Sequence, residues 1–215
     1  MMTEKKIDFE TWERKDLFNH FSHTSSPFWS LTYEEDVTEV YTFAKANRIS
    51  FYGAMIWTVS RALNDVKAFH YTIRKDGIYE LEKRLPSFTN MKKDSELFQI
   101  ITVNELDDDI LSFCQKAQKL AETQEEFIRY EKESDALIFI STLPWVKVTG
   151  LTNEGMTDPD DAVPRVAWGR YEEKQGRKVL SVCFEVNHRL IDGYHIGQFH
   201  EAFRKRACAL NQHTL

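Results

Sequence analysis

The stretch from Leu180 to Lys205 decides the fold, and it reads LSVCFEVNHRLIDGYHIGQFHEAFRK. Large apolar residues alternate with smaller or polar ones from Leu180 to Val186, which is the period-two pattern of a strand. From Tyr194 onward the apolar residues 196, 199 and 203 recur at helical spacing. The sequence therefore predicts a strand, then a tight turn over 187–193, and then a helix.

The predicted turn places His188 at the end of a buried strand, with Asp192 and Gly193 shortly after it. Histidine, with an ordinary pKa of about 6.5, is a base at neutral pH. Two roles are open for Asp192: it contacts the imidazole, or it pairs with an arginine elsewhere and locks the turn. Gly193 is expected to start the helix without a Cβ clash. The structural alternative is a core histidine followed by a helix-capping aspartate.

Composition limits the class of protein. The 215 residues are 42% hydrophobic and 13% aromatic, which predicts one single domain over 1–215. A net charge of −6 without a Lys/Arg-rich block argues against nucleic acid or an anionic membrane as partner. Three widely spaced cysteines suit a reducing compartment rather than a disulfide framework. No apolar leader or membrane span is seen, so a cytoplasmic protein is expected.

The rest of the chain predicts helices and strands in mixed order. Helices are expected over 8–21, 36–47, 52–66 and 107–124, and strands over 27–33, 86–91, 97–103, 136–140 and within 163–171. Lys75-Asp76-Gly77 is a strong turn signal and predicts a hairpin over 70–82. Gln175-Gly176 closes a second hairpin into the strand that starts the deciding stretch.

Residues 188–195 read HRLIDGYH, and with the flanking strand and helix they resemble the active-site segment of the chloramphenicol acetyltransferase family. In that family a strand delivers His-x-x-x-Asp-Gly-aromatic-His into a helix. The resemblance implies an α/β fold, a two-layer α/β sandwich with a mixed β-sheet. It also implies that His188 is the general base.

Residues 12–18, WERKDLF, resemble the opening of the same family, whose arginine forms a salt bridge with the aspartate of the catalytic turn. The resemblance implies that Arg14 pairs with Asp192. A buried, bidentate ion pair is a credible geometric clamp, because removing one partner strands the other charge. The alternative for Arg14 is a solvated charge on a helix face.

Residues 141–146, STLPWV, resemble the family's Ser-Ala-x-Pro-Trp-Val at the end of its equivalent strand. The resemblance implies that Ser141 donates to the oxyanion of the tetrahedral intermediate and that Trp145 lines the coenzyme site. A donor aimed at a developing oxyanion contributes strongly to rate. The alternative is simple packing of Pro144 and Trp145 at a strand end.

Two further segments imply coenzyme contacts. Residues 50–53, SFYG, resemble the family's Lys-Phe-Tyr-Pro; Tyr52 is kept, while Ser50 stands in the lysine position, and Arg48 is a candidate source of the missing charge. Residues 163–171, VPRVAWGRY, resemble a family segment whose lysine and tyrosine lie near the coenzyme and match Arg170 and Tyr171. In this second segment Ala167 stands where the family has a threonine that helps to hold a water against the intermediate.

The resemblance implies an acetyl-CoA-dependent O-acetyltransferase, an acyltransferase that acts by direct attack of an acceptor hydroxyl. Acetyl-CoA is then a co-substrate, and no permanently bound cofactor is expected. The acceptor is chloramphenicol or a related hydroxylated small molecule. Family members are homotrimers with active sites at subunit interfaces, so a homotrimer is expected.

Three departures bear on the acceptor. Phe21 matches a tyrosine that acetylators of chloramphenicol carry, the loop over 129–135 is shortened, and Asn187 replaces a family histidine. Two alternatives therefore stay open: the acyltransferase core of 2-oxo-acid dehydrogenase complexes, with its similar Asp-His-Arg-Val-x-Asp-Gly, and a non-catalytic small-molecule-binding protein on the same fold.

A metal site is weighed from the same segment. His188, Asp192 and His195 are spaced as metal ligands on one helix face. The strand-to-helix transition lies between them, however, so no metal is predicted. His195 is expected to pack or hydrogen-bond near the site instead.

Overall fold

A computed structural model describes residues 3–154 and 158–212 of the chain. The α-helices in these ranges are α1 Lys15–Ser22, α2 Thr38–Ala46, α3 Phe51–Asn64, α4 Ile110–Thr123 and α5 Gly193–Leu210. The strands are β1 Glu4–Lys6, β2 Phe28–Asp36, β3 Tyr71–Arg74, β4 Gly77–Leu81, β5 Leu85–Met91, β6 Phe98–Thr102, β7 Leu137–Leu143, β8 Arg165–Gly169, β9 Glu172–Lys174 and β10 Arg177–Asn187.

The main sheet has the strand order β2-β10-β8-β7-β5-β6, and β9 pairs with one end of β10. The β5–β7 and β7–β8 pairs are parallel, and the other pairs are antiparallel. A parallel neighbour needs a long crossover, which α4 and the segment after β7 supply. A smaller antiparallel sheet has the order β1-β4-β3. The predicted mixed α/β architecture is confirmed.

The inner strand β10 is buried on both faces. On one face Phe184 packs edge-on against Phe199 of α5, at 4.9 Å between ring centroids. On the other face the smaller Cys183 packs with Ala167 and Val148. The period-two pattern in the sequence therefore reflects two unequal faces, with helices packed on one and only a loop packed on the other.

The first predicted helix begins later than expected, at Lys15 rather than Asp8. The Asp8 carboxylate accepts hydrogen bonds from the Glu10 N–H, at 3.2 Å, and from the Thr11 hydroxyl, at 3.1 Å. Such local side-chain bonds offer the backbone an alternative to a helix. Strand β1 was not predicted, and the helix of the deciding stretch continues to Leu210, five residues beyond Lys205. The ends of the other predicted elements lie within three residues of the observed ones.

Arg84, at the edge of β5, is 1% exposed and holds several segments together. Its guanidinium donates to five backbone carbonyls, those of Phe69, Tyr71, Asp135, Leu137 and Ala162. Burial lowers the pKa of Arg84 to about 10, so the group stays charged at neutral pH. The carbonyls replace the water that the cation loses, and they come from three separate parts of the chain, 69–71, 135–137 and 162.

In the described ranges no helix is both long and apolar enough to cross a membrane.

Arg84→Met is expected to lower the free energy of unfolding by about 3–5 kcal/mol, because five buried carbonyls lose their donor. Urea unfolding followed by circular dichroism measures the change. Lys83→Met, at the adjacent position, is the matched control and should stay close to the wild-type chain. An Arg84 variant within about 1 kcal/mol of wild type would mean that the carbonyls find other donors.

Candidate functional site

The turn after β10 begins at His188, whose N–H donates to the Pro27 carbonyl at 2.7 Å. The N–H groups of Leu190 and Ile191 both donate to the Asn187 carbonyl, each at 3.0 Å. These bonds end the strand ladder and fold the chain back within four residues. His188 is therefore held at a fixed point by its own backbone.

Arg14 binds the inside of this turn. Its guanidinium donates to the Asp192 carboxylate at 2.8 Å, to the Arg189 carbonyl at 2.9 Å and to the His188 carbonyl at 3.1 Å. Arg14 is 8% exposed. The ion pair expected from the resemblance is thus present, but as a single bond rather than a bidentate pair, because the other two guanidinium nitrogens donate to backbone carbonyls of the turn.

Asp192 caps α5 and does not serve as the partner of the imidazole. It accepts a hydrogen bond from the Tyr194 N–H at 3.0 Å, and its own N–H donates to Nδ1 of His195 at 3.1 Å. Burial opposes ionisation of Asp192, but the Arg14 hydrogen bond and nearby positive charge outweigh it and lower its pKa. Burial also lowers the pKa of His195, which keeps Nδ1 free to accept.

The expected reason for Gly193 is wrong. A Cβ at this position would meet no heavy atom within 4 Å, and φ lies outside the left-handed region. The capping box formed by Asp192 and His195 accounts for the start of the helix. His195, one of the three candidate metal ligands, instead accepts a hydrogen bond from the Asp192 backbone N–H as part of the helix cap. In the described parts of the chain, no three His, Cys, Asp or Glu side chains lie close enough together to hold a metal ion.

Aromatic rings pack against the His188 imidazole. The Phe21 ring stacks on it, with 3.9 Å between centroids and 11° between planes, and the Trp29 ring lies 5.0 Å away. The Trp29 indole N–H is bound to the Ile191 carbonyl at 3.0 Å, which fixes that ring to the turn. Within the described chain, Nδ1 of His188 is buried without a hydrogen-bond partner. Packing, rather than a carboxylate, therefore orients this imidazole.

The side chains that flank His188 attach the turn to an acidic loop, a feature that the sequence did not reveal. The Asn187 amide donates to the carbonyls of Pro159 and Asp161, both at 2.9 Å, and accepts from the Arg189 N–H at 3.1 Å. Arg189 in turn pairs with Asp160 at 3.0 Å. The Asn187 side chain uses both its N–H donors and its oxygen acceptor, which explains why an amide side chain stands at this position. The nearest signal in the sequence was the Asp-rich run 158–161.

A second group of predicted residues lines one cleft, here called the Ser141 cleft, of about 490 Å³. Ser141 and Trp145 lie on its β7 side, and Tyr52, Arg170 and Tyr171 line it as well. The Tyr52 hydroxyl donates to the Thr89 carbonyl at 2.7 Å, which fixes the ring at the cleft wall. Trp145 is 65% exposed. The structure therefore brings together all four residues expected at the coenzyme, with the expected oxyanion donor.

His188 is remote from this cleft within one chain. Ser141 pairs across the sheet with Ala167, which pairs with Cys183, and His188 lies five residues beyond Cys183. With strands roughly 4.8 Å apart and a rise of about 3.3 Å per residue, Ser141 and His188 are about 19 Å apart. One chain thus carries the expected base and the expected oxyanion donor at separate places.

Comparison with known proteins gives a similarity over nearly the whole chain. The sequence profile of the family described as Chloramphenicol acetyltransferase matches residues 2–204. The chloramphenicol acetyltransferase of Bacillus pumilus is 26% identical over 203 residues, covering 93% of this chain and 91% of that protein. That of Staphylococcus aureus is 27% identical over 202 residues, covering 92% and 93%.

Solved structures agree. A chloramphenicol acetyltransferase superposes with a TM-score of 0.84 and 25% identity, covering 95% of this chain and all of the other, 100%. The cubic core of the pyruvate dehydrogenase multienzyme complex superposes with a TM-score of 0.67 and 17% identity, covering 91% and 86%. The second likeness is one of fold alone.

Asp192→Asn is expected to lower the free energy of unfolding by about 3 kcal/mol at pH 7, because it keeps a helix cap but leaves buried Arg14 without its counter-ion. The pKa of Asp192 is lowered in the fold, so its ionised form stabilises above the ordinary value of about 3.9. This contribution is lost as the pH falls through the lowered pKa. The difference from wild type should therefore shrink towards pH 3.

Urea unfolding from pH 7 to pH 3 measures this difference. Glu201→Gln removes an exposed carboxylate of α5 and serves as the control, with nearly wild-type stability expected at every pH. A deficit for Asp192→Asn that stays constant down to pH 3 would contradict the role given to its charge.

Proposed function

Because the chain belongs to the chloramphenicol acetyltransferase family, a family of acyltransferases, we propose that it is an acetyl-CoA-dependent O-acetyltransferase. The proposed acceptor is a hydroxyl group of chloramphenicol or of a related small molecule. One observation carries the assignment of the base: the guanidinium of Arg14 binds three acceptors of the turn that presents His188. A base held this firmly has the fixed geometry that general-base catalysis needs.

In the proposed reaction His188 takes the proton of the acceptor hydroxyl while that oxygen attacks the carbonyl carbon of the acetyl thioester. The resulting tetrahedral intermediate carries an oxyanion, to which the Ser141 hydroxyl donates. When the intermediate collapses, the carbon–sulfur bond breaks and the thiolate of coenzyme A takes the proton from the imidazolium. The products are the acetyl ester and free coenzyme A, and no acyl group is carried on the protein.

The separation of about 19 Å between Ser141 and His188 supports an active site shared between two chains. In this arrangement His188 of one subunit meets the Ser141 cleft of the next. The contact joins two different surfaces of the chain, and such head-to-tail contacts close into rings. A homotrimer, of about 76 kDa for chains of 25.3 kDa, satisfies this requirement.

The surface beside His188, where the acceptor is proposed to bind, is more apolar than in family members that carry a tyrosine at the position of Phe21. Phe21 lies flat on the imidazole and has no hydroxyl to donate to an acceptor. An acceptor therefore meets an aromatic ring beside the base and gains orientation from packing. This favours a hydroxylated acceptor with an apolar or aromatic body, and the missing tyrosine hydroxyl counts against chloramphenicol relative to other such molecules.

Neither alternative is favoured. The likeness to 2-oxo-acid dehydrogenase cores is at 17% identity and concerns the fold, whereas the family profile spans residues 2–204. A purely binding protein has no need of a buried cation that fixes the turn around His188. The intact turn and cleft both support catalysis.

His188→Ala is expected to abolish release of free coenzyme A thiol from acetyl-CoA in the presence of chloramphenicol. Ser141→Ala should lower that rate about 10²–10³-fold with little change in the affinity for acetyl-CoA. His23→Ala, at an exposed histidine, is the control and should leave the rate unchanged. Survival of the rate within about tenfold in His188→Ala would reject the assigned base; equal loss of affinity and rate in Ser141→Ala would indicate packing instead.

A mixing experiment tests the shared site. The His188→Ala and Ser141→Ala chains are co-expressed in equal amounts, so that each shared site draws its two halves from different chains. About one quarter of the sites should then combine an intact His188 with an intact Ser141 and regain activity. No recovery above the Ser141→Ala chain alone would place both groups of each site in one chain.

A further inference from the structure

A buried carboxylate on β2 has no part in the proposed reaction. Glu35 is 1% exposed, and the register of β2 on β10 places it opposite Leu180, on the face of the sheet that packs against the helices. A carboxylate taken out of water is costly unless a cation or several donors compensate it. Glu35 therefore depends on compensation from its neighbours.

Two side chains contact the same oxygen of Glu35. Its Oε2 accepts a hydrogen bond from the Tyr33 hydroxyl at 3.1 Å and lies 2.7 Å from Nδ1 of His200 on α5. Its Oε1 is sealed from solvent and has no hydrogen-bond partner in the described structure. The carboxylate thus joins β2 to α5 across 165 residues, and its compensation comes through one oxygen alone.

The exposed part of His200 lets this contact exchange a proton with solvent. The His200 side chain is 34% exposed, whereas the Glu35 side chain that it contacts is 1% exposed. An imidazole that carries both ring protons neutralises the carboxylate through its Nδ1–H. Loss of the Nε2 proton keeps that hydrogen bond but removes the positive charge, so a single negative charge remains in the core.

The charge that acts on Glu35 is that of His200. Tyr33 remains a neutral donor, because burial and the Glu35 charge raise its pKa. Charged groups on the neighbouring elements β2, β10 and α2 form pairs of their own, Asp36 and Glu39 with Arg177, and Lys178 with Glu173. On α5 the charged side chains next in line, Glu201 and Arg204, are exposed.

We propose that Glu35, Tyr33 and His200 form a proton-dependent latch between β2 and α5. With the second ring proton on His200 the latch has no net charge and holds the strand and the helix together. Without that proton the buried negative charge weakens the contact. The latch is independent of the acetyltransferase proposal, since it uses no residue of the proposed site.

The latch lies between two supports of the turn after β10. Strand β2 carries Trp29, whose indole N–H binds the Ile191 carbonyl, and α5 begins at the Asp192 cap. A weaker contact between β2 and α5 therefore loosens the support of His188 without a change in the site itself. In this way the fold makes the position of the turn sensitive to pH.

The sign of the pH dependence follows from the carboxyl group. Burial raises the pKa of Glu35, and the hydrogen bond and charge of His200 and the Tyr33 hydrogen bond oppose it only in part. A group whose pKa is raised in the fold stabilises the fold fully below its ordinary value, about 4.3 for Glu. This contribution is lost as the pH rises through the raised value. The latch is therefore closed at low pH and weakened at high pH.

Urea unfolding at pH 5 and pH 9 tests the latch. Glu35→Gln keeps hydrogen-bonding groups in place of the carboxyl but cannot ionise, so the ratio of the wild-type unfolding constant to that of Glu35→Gln is expected to rise about tenfold between the two pH values. His200→Gln removes the compensating charge, so this variant should be less stable than wild type at pH 5 and match it at pH 9. Glu201→Gln, beside His200 and exposed, is the matched control, with a constant ratio expected.

Hydrogen exchange locates the effect in the full chain. Protection of the β2 and α5 amides, corrected for the intrinsic exchange rate, is expected to fall from pH 5 to pH 9 in wild type and to stay constant in Glu35→Gln. A ratio of unfolding constants that is the same at both pH values would overturn the latch. Equal loss of protection in every strand would also overturn it, because the effect would not then belong to this contact. Neither measurement uses turnover, so failure of the acetyltransferase proposal is detected separately.

Discussion

The rest of the site depends on the buried contact between Arg14 and the turn after β10. Two backbone carbonyls and one carboxylate converge on a single planar guanidinium. Without it the carbonyls would lose this donor and the carboxylate its counter-ion. A lysine has the charge but not the fork of donors that these three acceptors match. Because the turn closes around a cation from the start of the chain, its shape depends on a residue more than 170 positions away.

A second set of contacts holds the same turn from outside. Asn187 and Arg189 bind the loop over 159–161, while Phe21 and Trp29 pack on the imidazole between them. The histidine therefore has polar anchors on its backbone and apolar neighbours on its ring. The proposed base is therefore pre-organised by two kinds of contact. The backbone bonds fix its position, and the aromatic rings fix its orientation without a partner carboxylate.

How much of the structure the sequence predicts depends on how far apart along the chain the interacting residues are. The strand, turn and helix over 180–205 follow from periodicity and a local cap, and both signals lie within a few residues. The pairing of Arg14 with Asp192 came only from the family resemblance, because no local pattern links them. The anchors from Asn187 and Arg189 to residues 159–161 were missed, since side-chain bonds across 26 residues or more leave no periodic signal. The turn at Asp8 was missed because side-chain bonds overrode helix periodicity. Strand β1 was missed because its three exposed residues, EKK, show no apolar alternation.

The order of strands in the sheet gives information that no motif contains, namely the distance between the proposed base and the proposed oxyanion donor. Ser141 and His188 are each recognisable from short motifs, and the motifs alone suggest one site. Because β8 lies between β7 and β10, the two residues are two strand spacings apart across the sheet and five residues apart along it, a distance of about 19 Å. A base and an oxyanion donor must both reach one tetrahedral carbon within hydrogen-bond range. In the proposed enzyme the association of chains is therefore a precondition of catalysis, since it completes a site whose two parts the fold holds apart.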